Sequence, residues 1–123
     1  MNQPDCPFCT GDTWVLSNDL ALARWDANPV APGHLLIVTR RHLTDFFETS
    51  NDERRALLDL LQQARNLLQR EYGPDGFNVG VNVGKAAGQT IAHVHMHLIP
   101  RYRGDTPQPR GGVRGVIPDK QSY

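Results

Sequence analysis

Only two cysteines, Cys6 and Cys9, occur in 123 residues, too few for a disulfide framework to organise the fold. Charge of one sign is also missing: 13 basic residues balance 13 acidic ones, and the sequence pI is about 7.0. Bulk electrostatics therefore gives no reason to expect a nucleic acid or a membrane surface as partner. Long apolar runs are absent as well. The longest aliphatic stretch, Leu35-Leu36-Ile37-Val38, is far too short to span a bilayer. Met1 to Cys6 lacks the basic-then-apolar pattern of a secretory signal, so a cytoplasmic protein is expected. There is no internal repeat, and the only biased segment is Gly-, Pro- and Arg-rich, towards residue 123.

What is present suits one globular domain. Hydrophobic residues make up 39% and charged ones 21%, and a chain of this size buries about two thirds of its unfolded surface. Thr13–Leu16 and Leu20–Trp25 read as a hairpin around Ser17-Asn18-Asp19. Two prolines make residues 26–33 a loop, and His34–Thr39 reads as a buried strand. A helix is expected from Asn51 to Tyr72. Ser50 and Glu53 fit a capping box, Leu57, Leu60, Leu61, Ala64, Leu67 and Leu68 form an apolar face, and Gly73-Pro74 stops it. Phe77–Val83 alternates as a half-buried strand, and Ile91–Pro100 reads as another. The order of elements predicts an α+β domain with a mainly antiparallel sheet.

Three of the five histidines alternate in His93-Val94-His95-Met96-His97. On a strand they share one face, about 6–7 Å apart, while Val94, Met96 and Leu98 enter the core. Clustered imidazoles risk mutual repulsion and unsatisfied nitrogens unless something occupies them. That leaves a metal site or catalysis on an anion. Cys6-Pro7-Phe8-Cys9 has the spacing of a metal or redox pair, with two reduced buried thiols as a further reading.

The run from Gly88-Gln89-Thr90 through His93-Val94-His95-Met96-His97-Leu98-Ile99 to Pro100-Arg101 resembles the signature of the histidine triad (HIT) family, His-φ-His-φ-His-φ-φ with φ apolar. Its flanks are similar to the branch containing diadenosine polyphosphate hydrolases. Pro32-Gly33-His34 before a hydrophobic strand resembles a second family block, and the likeness spans roughly residues 6 to 105. It implies a HIT-like fold, an antiparallel sheet of about five strands with one long helix and a short helix. It divides the chain into a HIT domain, 1–105, and a tail, 106–123.

The resemblance further implies a nucleotide hydrolase or nucleotidyl transferase acting at the α-phosphate of dinucleoside polyphosphates or related conjugates. His95 would be the nucleophile, forming a nucleotidyl-histidine, and His97 the donor that stabilises developing charge. Gln89 and Thr90 would contact the phosphates, Asn82 would bind phosphate, and Asp26 would hold the ribose hydroxyls. Phe8 and Trp25 are candidates for walls of the base pocket, and His34 for a hydrogen-bonding role behind the triad. Some family members pair such cysteines with two histidines, which implies Cys6, Cys9, His42 and His93 around a structural zinc. A homodimer is implied too. A non-catalytic zinc- and nucleotide-binding module is the alternative. Residues 101–123 carry five basic residues against two acidic ones. The tail reads either as a solvated segment or as a strap bringing Arg110 or Arg114 to the distal phosphates.

Overall fold

The computed structural model describes residues 3–11 and 14–123. These form a five-stranded antiparallel sheet with one long helix on one face. The strands are β1 (Trp14–Ser17), β2 (Ala21–Trp25), β3 (Leu35–Thr39), β4 (Gly76–Val81) and β5 (His95–Arg101), and the helix is α1 (Asn51–Glu71). Spatial order is β1-β2-β3-β5-β4, so β3 and β5 lie side by side and β4 is an edge. The predicted α+β architecture is what forms, with the short helical pieces present as 3₁₀ turns such as Phe46–Glu48.

Local chemistry accounts for each element. Asn18 shapes the first hairpin: its Oδ1 accepts from the amides of Leu20 and Ala21, and its Nδ2 donates to the Ala56 carbonyl on α1. The predicted start of β1, Thr13, lies outside the described residues. At the head of α1 the Ser50–Glu53 capping box is formed in full. Arg41 completes it by gripping the Glu53 carboxylate through Nε (2.9 Å) and an NH2 group (2.8 Å).

All five residues of β3 are buried, because both faces of the sheet are covered there. Leu35 and Ile37 face α1, against Leu57, Leu60, Ala64 and Leu68. Leu36 and Val38 face the other way, against Cys6 and Phe8 of the N-terminal loop. On β5, Met96 and Leu98 join the helix-side core. The period-2 rule then sends His95 and His97 to the opposite, loop-covered face. The helix packs on one face of the sheet, and His95 and His97 lie on the other.

Two strands differ from expectation. β5 begins at His95 rather than Ile91, since the residues before it bond elsewhere: the His93 amide donates to Ile91 and the Val94 amide to Leu43. His93 therefore does not share a strand face with His95 and His97. β4 stops at Val81, which leaves Asn82 in the following loop.

Gly33 is required where it stands. Its φ of +89° is a left-handed conformation, and a Cβ there would come within 3.0 Å of Leu68 and 3.3 Å of Pro100 and Tyr72.

The Arg41 grip and the Ser50 amide hold the Glu53 carboxyl down to about 2, against an ordinary 4.5. A depressed carboxyl stabilises the fold fully above about pH 4.5, and this is lost as pH falls towards 2. Glu53→Gln should cost about 1–2 kcal/mol in urea unfolding at pH 7. The difference from the unmodified chain should shrink steadily between pH 4.5 and pH 2.5.

Candidate active site

Three histidines are held by backbone groups that decide which ring nitrogen carries hydrogen. His93 is fully buried, and its Nε2–H donates to the Thr39 carbonyl at 2.7 Å. Its Nδ1 lone pair is left facing Cys6 Sγ (3.3 Å), Cys9 Sγ (3.5 Å) and His42 Nδ1 (3.2 Å). Cys9 Sγ in turn lies 3.1 Å from His42 Nδ1. These four ligand atoms fall within 4.8 Å of one another, a cluster that could hold a metal ion. The fit is chemical as well as geometric. Tetrahedral edges for bonds of about 2.0–2.3 Å run roughly 3.3–3.8 Å, and two imidazole lone pairs meet two thiols. Burial pushes the Cys6 thiol up and the His93 imidazole down. The site thus opposes both a bare thiolate and an imidazolium, which a bound cation would reconcile with thiolate ligation.

His95 is fixed the same way. Its Nδ1–H donates to the carbonyl of His93 at 2.8 Å, which leaves Nε2 bare. His97 is set by a relay. The Val30 amide donates to His34 Nδ1 (3.2 Å), so the hydrogen of neutral His34 sits on Nε2. From there it reaches His97 Nδ1 at 3.0 Å, with Asp26 Oδ2 at 3.3 Å. His97 accepts at Nδ1 and keeps its own hydrogen on Nε2. Asp26, His34 and His97 also group closely enough to suggest metal ligands. The Val30 amide argues otherwise, since ligation through Nε2 would put a hydrogen on the nitrogen that already accepts. Burial lowers both His34 and His97 below the ordinary imidazole value; Asp26 opposes this in each case, and the neighbouring His95 and His34 add to it at His97.

A cavity of about 430 Å³ opens on this face, lined among others by Phe8, Arg24, Asp26, Asn82, Thr90, His95 and His97. Phe8 stacks at a tilt on His95, with ring centroids 5.0 Å apart. The structure therefore brings Phe8, Asp26, Asn82, Thr90, His95 and His97 together, with His34 directly behind. Two expected residues are elsewhere. Trp25 turns to the helix side and packs on Tyr72, because β2 alternates and residue 24 takes the cavity face. Gln89 is nearly buried and uses its whole amide on backbone groups, accepting from Gly84 and donating to Thr44 and Ile91. It braces the loop that carries Thr90 and is not among the cavity residues.

Arg24 is the residue that the sequence reading missed. It lines the cavity, donates to the Pro7 carbonyl (2.9 Å) and lies over the rings of Phe8 and Trp14. A charged residue between Ala23 and Trp25 in an apolar strand was the available signal. Arg110 and Arg114 are not at this cavity. Both stack on Tyr123, at 5.1 and 4.7 Å.

Residues 10–104, most of the chain, match the HIT domain family. The chain belongs to the HIT family. Relatives include an uncharacterized HIT-like protein of Mycoplasma genitalium, 39% identical over 69% of this chain and 60% of its own length. An adenylylsulfatase of Arabidopsis thaliana is 37% identical over 84% of this chain and 55% of its own. An AP-4-A phosphorylase of Mycobacterium tuberculosis is 35% identical over 74% and 47%. The HIT chain thus spans about three fifths of the length of the two mycoplasma relatives it matches. Among solved structures, a HIT family protein of Bacillus anthracis superposes with a TM-score of 0.77 at 31% identity, covering 83% of this chain and 77% of that one. A zinc-bound histidine triad family protein of Mycobacterium smegmatis gives 0.76 at 27%, covering 85% and 80%.

In this HIT chain the ring-nitrogen assignments are directly measurable. Long-range ¹H–¹⁵N spectra at pH 7.5 should show hydrogen on Nδ1 of His95 and on Nε2 of His34 and His97. Because His34 and His97 titrate below the ordinary 6.5 in the folded chain, protonation favours unfolding. Stability should be full above pH 6.5 and fall as pH drops below it.

Proposed function

We propose that the chain is a nucleotide hydrolase or nucleotidyl transferase that attacks an α-phosphorus through His95. One observation carries this: His95 Nδ1–H is tied to a backbone carbonyl, so an unprotonated Nε2 lies at the wall of a cavity beside a second imidazole. An imidazole so held is both a nucleophile and a tolerable leaving group near neutral pH, and splits one hard displacement into two easier ones. The HIT relatives named as adenylylsulfatase and AP-4-A phosphorylase support the reading.

In the first half-reaction Nε2 of His95 forms a bond to the α-phosphorus, and the bond to the leaving group breaks with its electron pair going to the departing atom. Nδ1–H of His95 remains on the His93 carbonyl, which stabilises the positive charge gained by the ring. In the second half water, or phosphate in a transferase, adds to phosphorus; the phosphorus–nitrogen bond breaks and a proton leaves to solvent. His97 Nε2–H hydrogen-bonds to the phosphoryl oxygens as charge grows on them. Asp26 has lone pairs for the ribose hydroxyls, Asn82 and Thr90 contact phosphate, and Phe8 walls the base. Arg24 supplies the cavity's positive charge.

Zinc is the metal that the Cys6, Cys9, His42 and His93 set suits. Four protein ligands leave no open position, so a bound ion would pin the N-terminal loop over the site. The domain would occupy residues 1–105 with a tail over 106–123. β4 has a strand partner on one side only, and its free edge is where two copies would join into a homodimer. Two reduced thiols and a small-molecule nucleotide substrate fit a cytoplasmic setting.

His95→Asn should lower turnover of adenosine phosphate derivatives by at least about a thousandfold. It should abolish the covalent adduct seen by intact mass, while nucleotide and zinc stay bound. Loss of metal with unchanged nucleotide handling would favour a non-catalytic zinc- and nucleotide-binding module. Separately, Cys9→Ser should remove bound zinc by elemental analysis and lower the melting temperature by more than about 5 °C.

A further inference from the structure

The sheet fixes where the charge of Arg24 sits in the His95 cavity. On β2, Arg24 pairs with Trp14 of β1 on one side and Leu36 of β3 on the other, and Leu36 pairs with His97 of β5. Directly opposed residues share a face, so Arg24, Leu36 and His97 form one row on the loop-covered side. The outer two are two strand spacings apart, roughly 10 Å. Leu36 lies between them, and all three line the cavity.

The guanidinium leans away from His97. It lies over the ring of Trp14, 5.6 Å from the centroid, and over Phe8 at 5.8 Å, while one NH group donates to the Pro7 carbonyl at 2.9 Å. The other neighbour of Phe8 is His95, with centroids 5.0 Å apart. One aromatic ring therefore separates the cation from the nucleophile. The phosphoryl group belongs beside His95, His97, Asn82 and Thr90, so Arg24 faces the opposite end of a bound nucleotide. Asp26, which has lone pairs for the ribose, follows Arg24 by two positions and lines the same cavity.

Phe8, Leu36 and Ile91 give that end apolar walls, and Arg24 gives it a planar set of donors with no acceptor. Its Nε is buried and finds no acceptor among the described residues. Such a fork matches an edge carrying two adjacent acceptors. Among purines, O6 and N7 of guanine or hypoxanthine form that edge. Adenine offers N7 beside the N6 amino group, a donor facing a donor.

We propose that Arg24 selects the base of the nucleotide, favouring the 6-oxopurines guanine and hypoxanthine over adenine. This deepens the His95 reading above and rests on it for the phosphate end of the ligand. Arg24 acts on binding and takes no part in the displacement at phosphorus.

The test measures calorimetric Kd of the full chain for GMP, IMP and AMP, and intact-mass adduct formation from guanosine and adenosine 5′-phosphoramidate. GMP and IMP should each bind at least about tenfold more tightly than AMP. Arg24→Lys keeps the charge without the fork and should bring the ratio near one. Arg24→Gln, whose amide matches adenine N6 and N7, should move it towards AMP. The ratio is read within one variant, so a loosened N-terminal loop that weakens all three ligands alike leaves it unmoved. Equal binding of GMP and AMP by the unmodified chain overturns the proposal, and adduct from both phosphoramidates then leaves the His95 reading intact. IMP behaving like AMP, or a ratio that survives in Arg24→Lys, also overturns it. A GMP and IMP preference without any adduct supports it and overturns the His95 reading. No binding of any nucleotide overturns both.

Discussion

Everything at this site depends on the crossing at residue 93. Its side chain reaches into the Cys6, Cys9 and His42 cluster, and its carbonyl takes the hydrogen of His95. One residue thereby links the metal-type cluster to the His95 ring over the length of a single peptide unit. A ring that gives one hydrogen to a carbonyl must present a lone pair at its other nitrogen, and this rule is used twice in succession. His93 offers its lone pair to the cluster and His95 offers its own to the cavity. Shifting the backbone at residue 93 would disturb both.

The second constraint comes from the sheet. Burying β3 on both faces requires a cover on each side, and the N-terminal loop is the cover opposite α1. Cysteine ligands and Phe8 arrive together because they belong to that one loop. Arg24 fastens it again, through the Pro7 carbonyl and the Phe8 ring. Closure of the core and assembly of the cavity are a single packing event.

Much of this was legible in the sequence. The α1 boundaries follow from a capping box and a glycine stop, both short-range rules, and the strand alternation of Met96 and Leu98 placed His95 and His97 opposite the helix. The Cys/His grouping followed from a resemblance rather than from spacing, since His42 and His93 are 51 positions apart and no local rule joins them. What escaped is decided by tertiary partners. Gln89 looked available for phosphate, yet three backbone groups from Gly84, Thr44 and Ile91 claim its amide. Arg24 takes the cavity face in place of Trp25 because the one-residue register of β2 is invisible until β3 pairs with it. His93 left its strand because its backbone bonds went to Ile91 and Leu43.

The glycine between Pro32 and His34 has a wider meaning. Leu68 and Tyr72, on and just after a helix without any chemistry, press on residue 33 from one side, and the His34 ring that steers His97 hangs from the next Cα. Drift in the size of those two helix-end side chains would be transmitted as rotation of an imidazole, a route by which relatives with identical histidines could diverge in the molecules they turn over.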